Sequence, residues 1–338
     1  VPPQPTVDLV SSTIAPAVVL PPAVALPASG TTRRSLRRPA FTAYALLAPS
    51  AVFLFGFTYW PVLQVLAGSL TVRTFGGTAH WGVGNFSRLL ADPHFAHAVV
   101  NNLIYAVGTI GPSLVLALAL ALGLQETTRL TAVLRTLLVL PLLIPLVAAA
   151  ALFVFIFLPG AGLLDYYLAR LGGSWFGLGQ LGLGQLGLGQ TNWLGDPSLA
   201  LGSIIAITVW KNTGYYMLFF LAGLAGIPQD MLDAARIDGA GAWARFRHVT
   251  LPLLGPTLAF VAVIALLNAL TQVDHVVVMT QGGPSDSTSL LLYYIYQQAA
   301  QNYDFGLASA ATVVSVAVLF AVSVVSLRAL ERGVHYEA

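Results

Sequence analysis

Residues Ile227–Pro256 read IPQDMLDAARIDGAGAWARFRHVTLPLLGP. Six charged side chains fall in this stretch: Asp230, Asp233, Arg236, Asp238, Arg245 and Arg247. Long apolar runs flank it, Leu199–Leu224 before and Leu254–Thr271 after. It therefore reads as a polar island between two membrane-length segments. The island has its own helical grammar. Pro228 fits a first helical position, where a missing N–H costs nothing. Asp230 and Asp233 suit the positive N-terminal end of the helix dipole. Gly239 fits a C-terminal stop. A second short helix is predicted over Ala242–Val249, with Trp243, Phe246 and Val249 on one face. Leu251-Pro252 ends it and leads into the next apolar run.

Outward from this loop the chain is mostly apolar. Hydrophobic residues make up 57% of the 338 positions and charged residues 8%, against about 25% charged in a soluble domain. So few charges do not cover a surface facing water. A bilayer core needs about 20 apolar residues per helix, and six stretches qualify: Ala43–Leu66, Asn102–Leu124, Leu137–Phe157, Leu199–Leu224, Leu254–Thr271 and Ala308–Leu327. Internal prolines such as Pro49, Pro112, Pro141 and Pro145 are compatible with membrane helices, where neighbours re-satisfy the freed carbonyls. The predicted fold class is an all-α polytopic membrane protein with six core transmembrane helices.

Arginine placement predicts orientation. Arg33, Arg34, Arg37, Arg38, Arg129, Arg135, Arg236, Arg245, Arg247, Arg328 and Arg332 share one side, and Arg73, Arg88 and Arg170 the other. By the positive-inside rule the richer side is cytoplasmic. Both termini and the polar island then lie inside.

Residues 1–38 are read as a disordered basic tail and 39–338 as the membrane domain, with its inner loop at 226–253 and a Gly-rich outer loop at 158–198. The run Ala15–Pro27 lacks a preceding basic residue and is broken by prolines, unlike a signal peptide. The outer loop carries three pentads over Phe176–Gln190, each Phe/Leu-Gly-Leu-Gly-Gln. They read either as a contact surface for an external partner or as a slipped repeat tolerated in a flexible loop.

The island also carries a resemblance. Asp233-Ala234-Ala235, three residues, Gly239, nine residues, Val249, one residue, then Leu251-Pro252 resembles the EAA loop of binding-protein-dependent ABC importer permeases. Asp233 stands for Glu and Val249 for Ile. The resemblance implies a type I importer permease fold. It also implies that this loop is a coupling helix seated on a nucleotide-binding subunit, through Asp233, Ala234, Ala235, Asp238, Gly239, Leu251 and Pro252. Trp210-Lys211, Thr280–Pro284 and Asp304–Ala308 extend the likeness to the carbohydrate-uptake branch, which includes maltose-type and glycerol-3-phosphate-type permeases. The implied partners are a second homologous permease, two ATPase subunits, an extracytoplasmic solute-binding protein and the lipid bilayer. The implied solute is a sugar, oligosaccharide or glycerol phosphate, and the location is the bacterial inner membrane. ATP and Mg would sit on the ATPase subunits, with no cofactor on this chain.

In that branch the solute binds near mid-membrane. Matching motif distances points to Thr208, Lys211, Asn212, Tyr215 and Gln272, with Asn268 one turn before Gln272. Two readings of Lys211 stand: contact with a phosphate or sugar hydroxyl, or a structural cation paired with a carbonyl or carboxylate. Asp274 and His275 read as a gate or docking pair, or as an interfacial, solvated pair.

A P-loop needs Gly-x-x-x-x-Gly-Lys-Ser/Thr, and the lone lysine, Lys211, follows Trp210 inside a span. There is no cysteine, hence no thiol nucleophile and no disulfide. No metal-ligand or catalytic spacing appears, and the net charge of +2 does not suggest nucleic acid. The rival class is an ion-gradient-driven secondary transporter, which would want intramembrane carboxylates and inverted repeats. No Asp or Glu lies well inside a predicted span.

Overall fold

Small side chains on two helices set the centre of the fold. Helix α4 (Pro93–Gly123) buries Ala98, Asn102, Tyr105, Thr109, Ser113, Ala117 and Ala121, spaced three or four apart along one face. Helix α8 (Ala200–Ala225) buries Ile204, Ile207, Thr208, Lys211 and Asn212 among others. The two pack along much of their length. At Gly108 an added Cβ would lie 2.8 Å from Cδ1 of Ile205. Such small residues let membrane helices approach closely, where packing and hydrogen bonds replace the hydrophobic drive.

The computed structural model describes residues 37–72, 79–174 and 191–331. Residues 1–36 of the expected 1–38 tail, the pentads, Arg73 and Arg332 lie outside the described residues, while Arg37 and Arg38 open a helix. The chain divides after Gly56. The first unit contributes α1 (Arg37–Leu54), which carries Pro49 internally. The second contributes α2 (Trp60–Ser69), a two-residue hairpin of β1 (Thr71–Val72) with β2 (His80–Trp81), and α3 (Gly84–Ala91) before α4. Asp92 caps α4 by accepting from the His94 N–H at 2.9 Å, with Pro93 at its first position.

Next come α5 (Arg129–Leu143), α6 (Leu146–Ile156) and α7 (Leu163–Ser174). Thr128 and Thr131 form a reciprocal cap at the start of α5. After α8 the polar island holds α9 (Gln229–Ile237), α10 (Ala242–Arg245), a π-helical turn over Phe246–Thr250 and α11 (Leu251–Leu253). After the island come α12 (Gly255–Thr271), α13 (Asp274–Met279), α14 (Leu291–Tyr296) and α15 (Phe305–Glu331).

Among the described residues, four helical runs are long and apolar enough to cross a bilayer: Ala43–Ser69, Pro93–Gly123, Ala200–Ala225 and Gly255–Met279. The expected third span, Leu137–Phe157, is not one helix. It is broken between α5 and α6, whose axes differ by 100°. Pro145 causes the break, because it brings no N–H to the ladder and disfavours helical geometry at Ile144, which is extended at ψ 125. The sixth expected span lies within α15, whose apolar stretch is Phe305–Ala321. The expected outer loop 158–198 contains α7, which the glycine-rich composition did not suggest.

One apolar core joins α4, α8 and α12 through Ala117, Ala121, Met217, Phe220, Val261 and Ala265. A second lies around Leu89, Phe95, Tyr294 and Ala311, joining α3, α4, α14 and α15.

Candidate functional site

The predicted path residues Thr208 and Asn212 stand one turn apart on α8 and are buried. They face a narrow cleft shared with Thr109 and Ser113 of α4, Tyr216 of α8, and Ala265 and Ala269 of α12. The Tyr105 hydroxyl reaches Thr208 Oγ1 at 2.9 Å. Asn268 joins from α12, its Nδ2 donating to the Tyr216 hydroxyl at 3.1 Å. The hydroxyl and amide groups lining the cleft come from α4 and α8, with Ala265 and Ala269 on the α12 side, and the cleft is too tight in this structure to hold a water molecule. Such groups can exchange hydrogen bonds with a polyol.

Gln272 terminates α12 in an extended conformation. Its Oε1 is buried without a hydrogen-bond partner. Tyr215 is half-buried and stands in an aromatic row, with its ring 5.6 Å from Tyr216 and 5.0 Å from Phe219. Phe219 in turn meets Phe260 of α12 at 5.4 Å.

Lys211 points elsewhere. Its Nζ donates to the carbonyls of Pro141 at 3.1 Å and Ile144 at 2.5 Å. It therefore faces the broken third span and not the cleft.

His275 is 0% exposed, which corrects the solvated, interfacial reading of this residue. Its ring stacks on Tyr105 with centroids 5.5 Å apart, and neither ring nitrogen has a hydrogen-bond partner. α12 and α13 continue as one membrane-length run, Gly255–Met279, and α13 packs on α6, so that His275 lies inside the bundle against Tyr105 of α4. Asp274 remains exposed.

In the polar island, α9 begins after Pro228, one residue later than the first-position reading. Asp230 lies in its first turn and Arg236 in its last, each at the favourable dipole end. Asp233 pairs with Arg236 at 2.7 Å, both exposed. Gly239 ends the helix at φ +79, with its N–H bonded to the Arg236 carbonyl at 3.0 Å. Ile237 and Trp243 are 87% and 70% exposed, so the loop presents an apolar face. Leu251 and Pro252 lie in α11 at the entry to α12.

The chain has relatives of known kind. Residues 113–336 match the model of the family described as binding-protein-dependent transport system inner membrane component. The chain belongs to this family. The permease is 32% identical over 307 residues to the sn-glycerol-3-phosphate transport system permease protein UgpA of Yersinia pestis bv. Antiqua (strain Antiqua), covering 89% of this chain and 99% of the relative. Its likeness to the protein of the same name from Brucella abortus biovar 1 (strain 9-941) is 32% over 296 residues, covering 87% and 96%. In fold it is similar to a chain from a bacterial ABC transporter involved in the import of the acidic polysaccharide alginate. That match has a TM-score of 0.73 at 22% identity, covering 87% of this chain and 96% of that one.

The sequence reading of the permease missed Tyr105, Thr109 and Ser113 on α4. A signal for them existed. The α4 stripe continues as Ala117 and Ala121, so small and hydroxyl residues recur every four positions on the face that meets α8.

Proposed function

We propose that this permease passes a glycerol phosphate or a small sugar into the cytoplasm, driven by ATP hydrolysis on separate ATPase subunits. The observation that carries this reading is the loop between α8 and α12. The short amphipathic helix α9 carries Asp233, Ala234 and Ala235 and ends at the left-handed Gly239, the motif spacing of a coupling element, with Ile237 and Trp243 exposed beside those positions. A rigid short helix suits docking in a groove and transmitting motion. Asp233, Ala234, Ala235, Asp238, Gly239, Leu251 and Pro252 form or brace that contact. ATP and Mg belong to the ATPase partners, because the chain has no Gly-x-x-x-x-Gly-Lys-Ser/Thr sequence.

Residues 39–338 form the membrane domain in this reading, with both ends and the 226–253 loop cytoplasmic. A second permease chain completes the solute path, and a binding protein delivers solute on the outer side. The solute meets Thr208, Asn212, Asn268 and Gln272, with Tyr215 offering a ring to a sugar face. The relatives' names favour sn-glycerol-3-phosphate as the first solute to test.

The test is uptake in proteoliposomes holding the permease, its partner permease, the ATPase and the binding protein. Labelled sn-glycerol-3-phosphate and a neutral disaccharide are compared. ATP-dependent, vanadate-sensitive uptake of one of them is expected. Uptake by the permease without ATPase subunits would sink the reading in favour of an ion-driven carrier.

A further inference from the structure

We propose that Trp210, Lys211 and Gly214 form a clasp by which α8 holds the broken third span, with Lys211 a positioning residue for the solute path. The inference rests on the transport reading above and assigns a role within it.

The break creates a specific problem. The last carbonyls of a helix have no intrahelical partner. After α5, the Ile144 N–H bonds back to the Pro141 carbonyl in a long contact of 3.3 Å, Pro145 offers no N–H, and α6 departs at 100°. Within an apolar medium an unpaired carbonyl costs several kcal/mol. The chain answers with its single lysine. Lys211 is 7% exposed, and its Nζ donates to the Pro141 and Ile144 carbonyls, at 3.1 and 2.5 Å. The ammonium thereby sits at the negative end of the α5 dipole, where a cation is favoured. Both of its hydrogen-bond partners are backbone oxygens of the break.

The neighbours of Lys211 on α8 grip the two halves. Trp210 meets Phe153 of α6 edge-on, with centroids 5.1 Å apart. Gly214 lies so close to α5 that an added Cβ would fall 1.9 Å from the Leu138 carbonyl oxygen. In less than two turns, α8 therefore touches α6, the break and α5 in order. Thr208 and Asn212 leave the same helix toward α4 and α12. Clasp and polar cleft share a rigid helix, so the seating of the third span sets the position of the cleft wall.

The experiment uses the assembled transporter, with Lys211→Met and Lys211→Arg. Spin labels at Phe155 of α6 and Leu218 of α8, both exposed, are introduced as cysteines into a chain that has none. In Lys211→Met we expect maximal uptake to fall about tenfold with KM within about twofold, as for an interaction that does not bind solute. The loss should be equal for sn-glycerol-3-phosphate and for a neutral sugar, whichever is carried. The α6–α8 distance distribution should broaden, and Lys211→Arg should recover both rate and distance.

Two results would overturn the proposal. One is a KM rise of about tenfold at unchanged maximal rate with unchanged distances, which makes Lys211 a solute ligand. The other is wild-type uptake and distances in Lys211→Met. If Lys211→Met does not assemble, Lys211→Gln keeps N–H donors and carries the same comparison. A failure of the transport reading looks different: the unmutated complex shows no ATP-dependent uptake, while the label distances still respond to Lys211→Met.

Discussion

The hydroxyl of Tyr105 stands 2.9 Å from Oγ1 of Thr208 in the interface between α4 and α8. Thr208 already donates its proton to the Ile204 carbonyl at 3.0 Å, so Tyr105 is the donor across the interface. Tyr105→Phe removes this bond alone and keeps the ring that stacks on His275. A loss of about 1 kcal/mol is expected for one buried neutral hydrogen bond. Thermal unfolding of the detergent-solubilised complex measures it, with the exposed Tyr44 changed to Phe as control. Equal midpoints for the two variants would show that the bond does not hold α4 to α8.

Gly239 has φ +79, and nothing lies within 4 Å of where its Cβ would be. The constraint on this residue is therefore backbone conformation and not space. Gly239→Ala should strain the end of α9 by about 1–2 kcal/mol. Gly239→Asp should insert normally, keep ATP hydrolysis in the complex and lose uptake. Gly241, at φ −64 and also in open space, should accept Ala with uptake unchanged. Normal uptake by Gly239→Asp would count against the coupling role of the loop.

The contact of Gly214 with the Leu138 carbonyl predicts the opposite cause at a second glycine. Here the backbone is helical and the space is absent, since the added Cβ would meet the oxygen at 1.9 Å. Gly214→Ala should destabilise the complex by about 1–3 kcal/mol through overpacking. Gly202, on the same helix with nothing near its Cβ, should tolerate Ala. The unfolding midpoints of the two variants decide the matter.

Asp304 begins α15, accepts the Leu307 N–H at 3.0 Å and pairs with Arg88 at 2.5 Å. Partial burial pushes its carboxyl up, but the Leu307 N–H and Arg88 outweigh this and hold it below the usual aspartate range. The folded form therefore binds this proton less tightly than the unfolded chain. The stabilisation is present above the ordinary aspartate value of about 3.9 and is lost as pH falls through the lower folded value. Between pH 5 and pH 8 this pair should contribute no pH dependence to the unfolding midpoint. Asp304→Asn should flatten the acid limb below about pH 4. An acid limb identical to that of the unmutated protein would assign the effect to other carboxylates.

Much of the fold was legible because lipid imposes a simple rule. Every backbone polar group must pair within its own helix, so length and apolar character mark the spans. Leu199–Leu224 and Leu254–Thr271 accordingly reappear as α8 and α12 with boundaries moved by only a few residues. The polar island was legible for a local reason too. Gly239 and Pro228 act through their own dihedral limits, which need no neighbour.

The third span was misread because Pro141 and Pro145 look alike in sequence. Pro141 lies within α5 and is tolerated, while Pro145 ends the run. The carbonyls exposed at the Pro145 break are met by Lys211, 67 residues from Ile144, a partner that the local sequence does not show. His275 was misread because its neighbours in sequence, Asp274 and the end of a span, suggested water. Its burial follows from packing of α13 on α6 and from Tyr105, a residue on another helix.

The chain order of apolar runs, the arginine pattern and the loop motif thus specify a membrane permease, since each is a property of neighbouring residues in one medium. The direction of each polar side chain inside the bundle is a different kind of fact. Thr208, Lys211 and Asn212 lie within a turn or so of one another, yet two face a cleft and one caps a broken helix. That choice is made by where α4, α5 and α12 present hydroxyls, carbonyls and small side chains, through contacts between residues far apart in the chain.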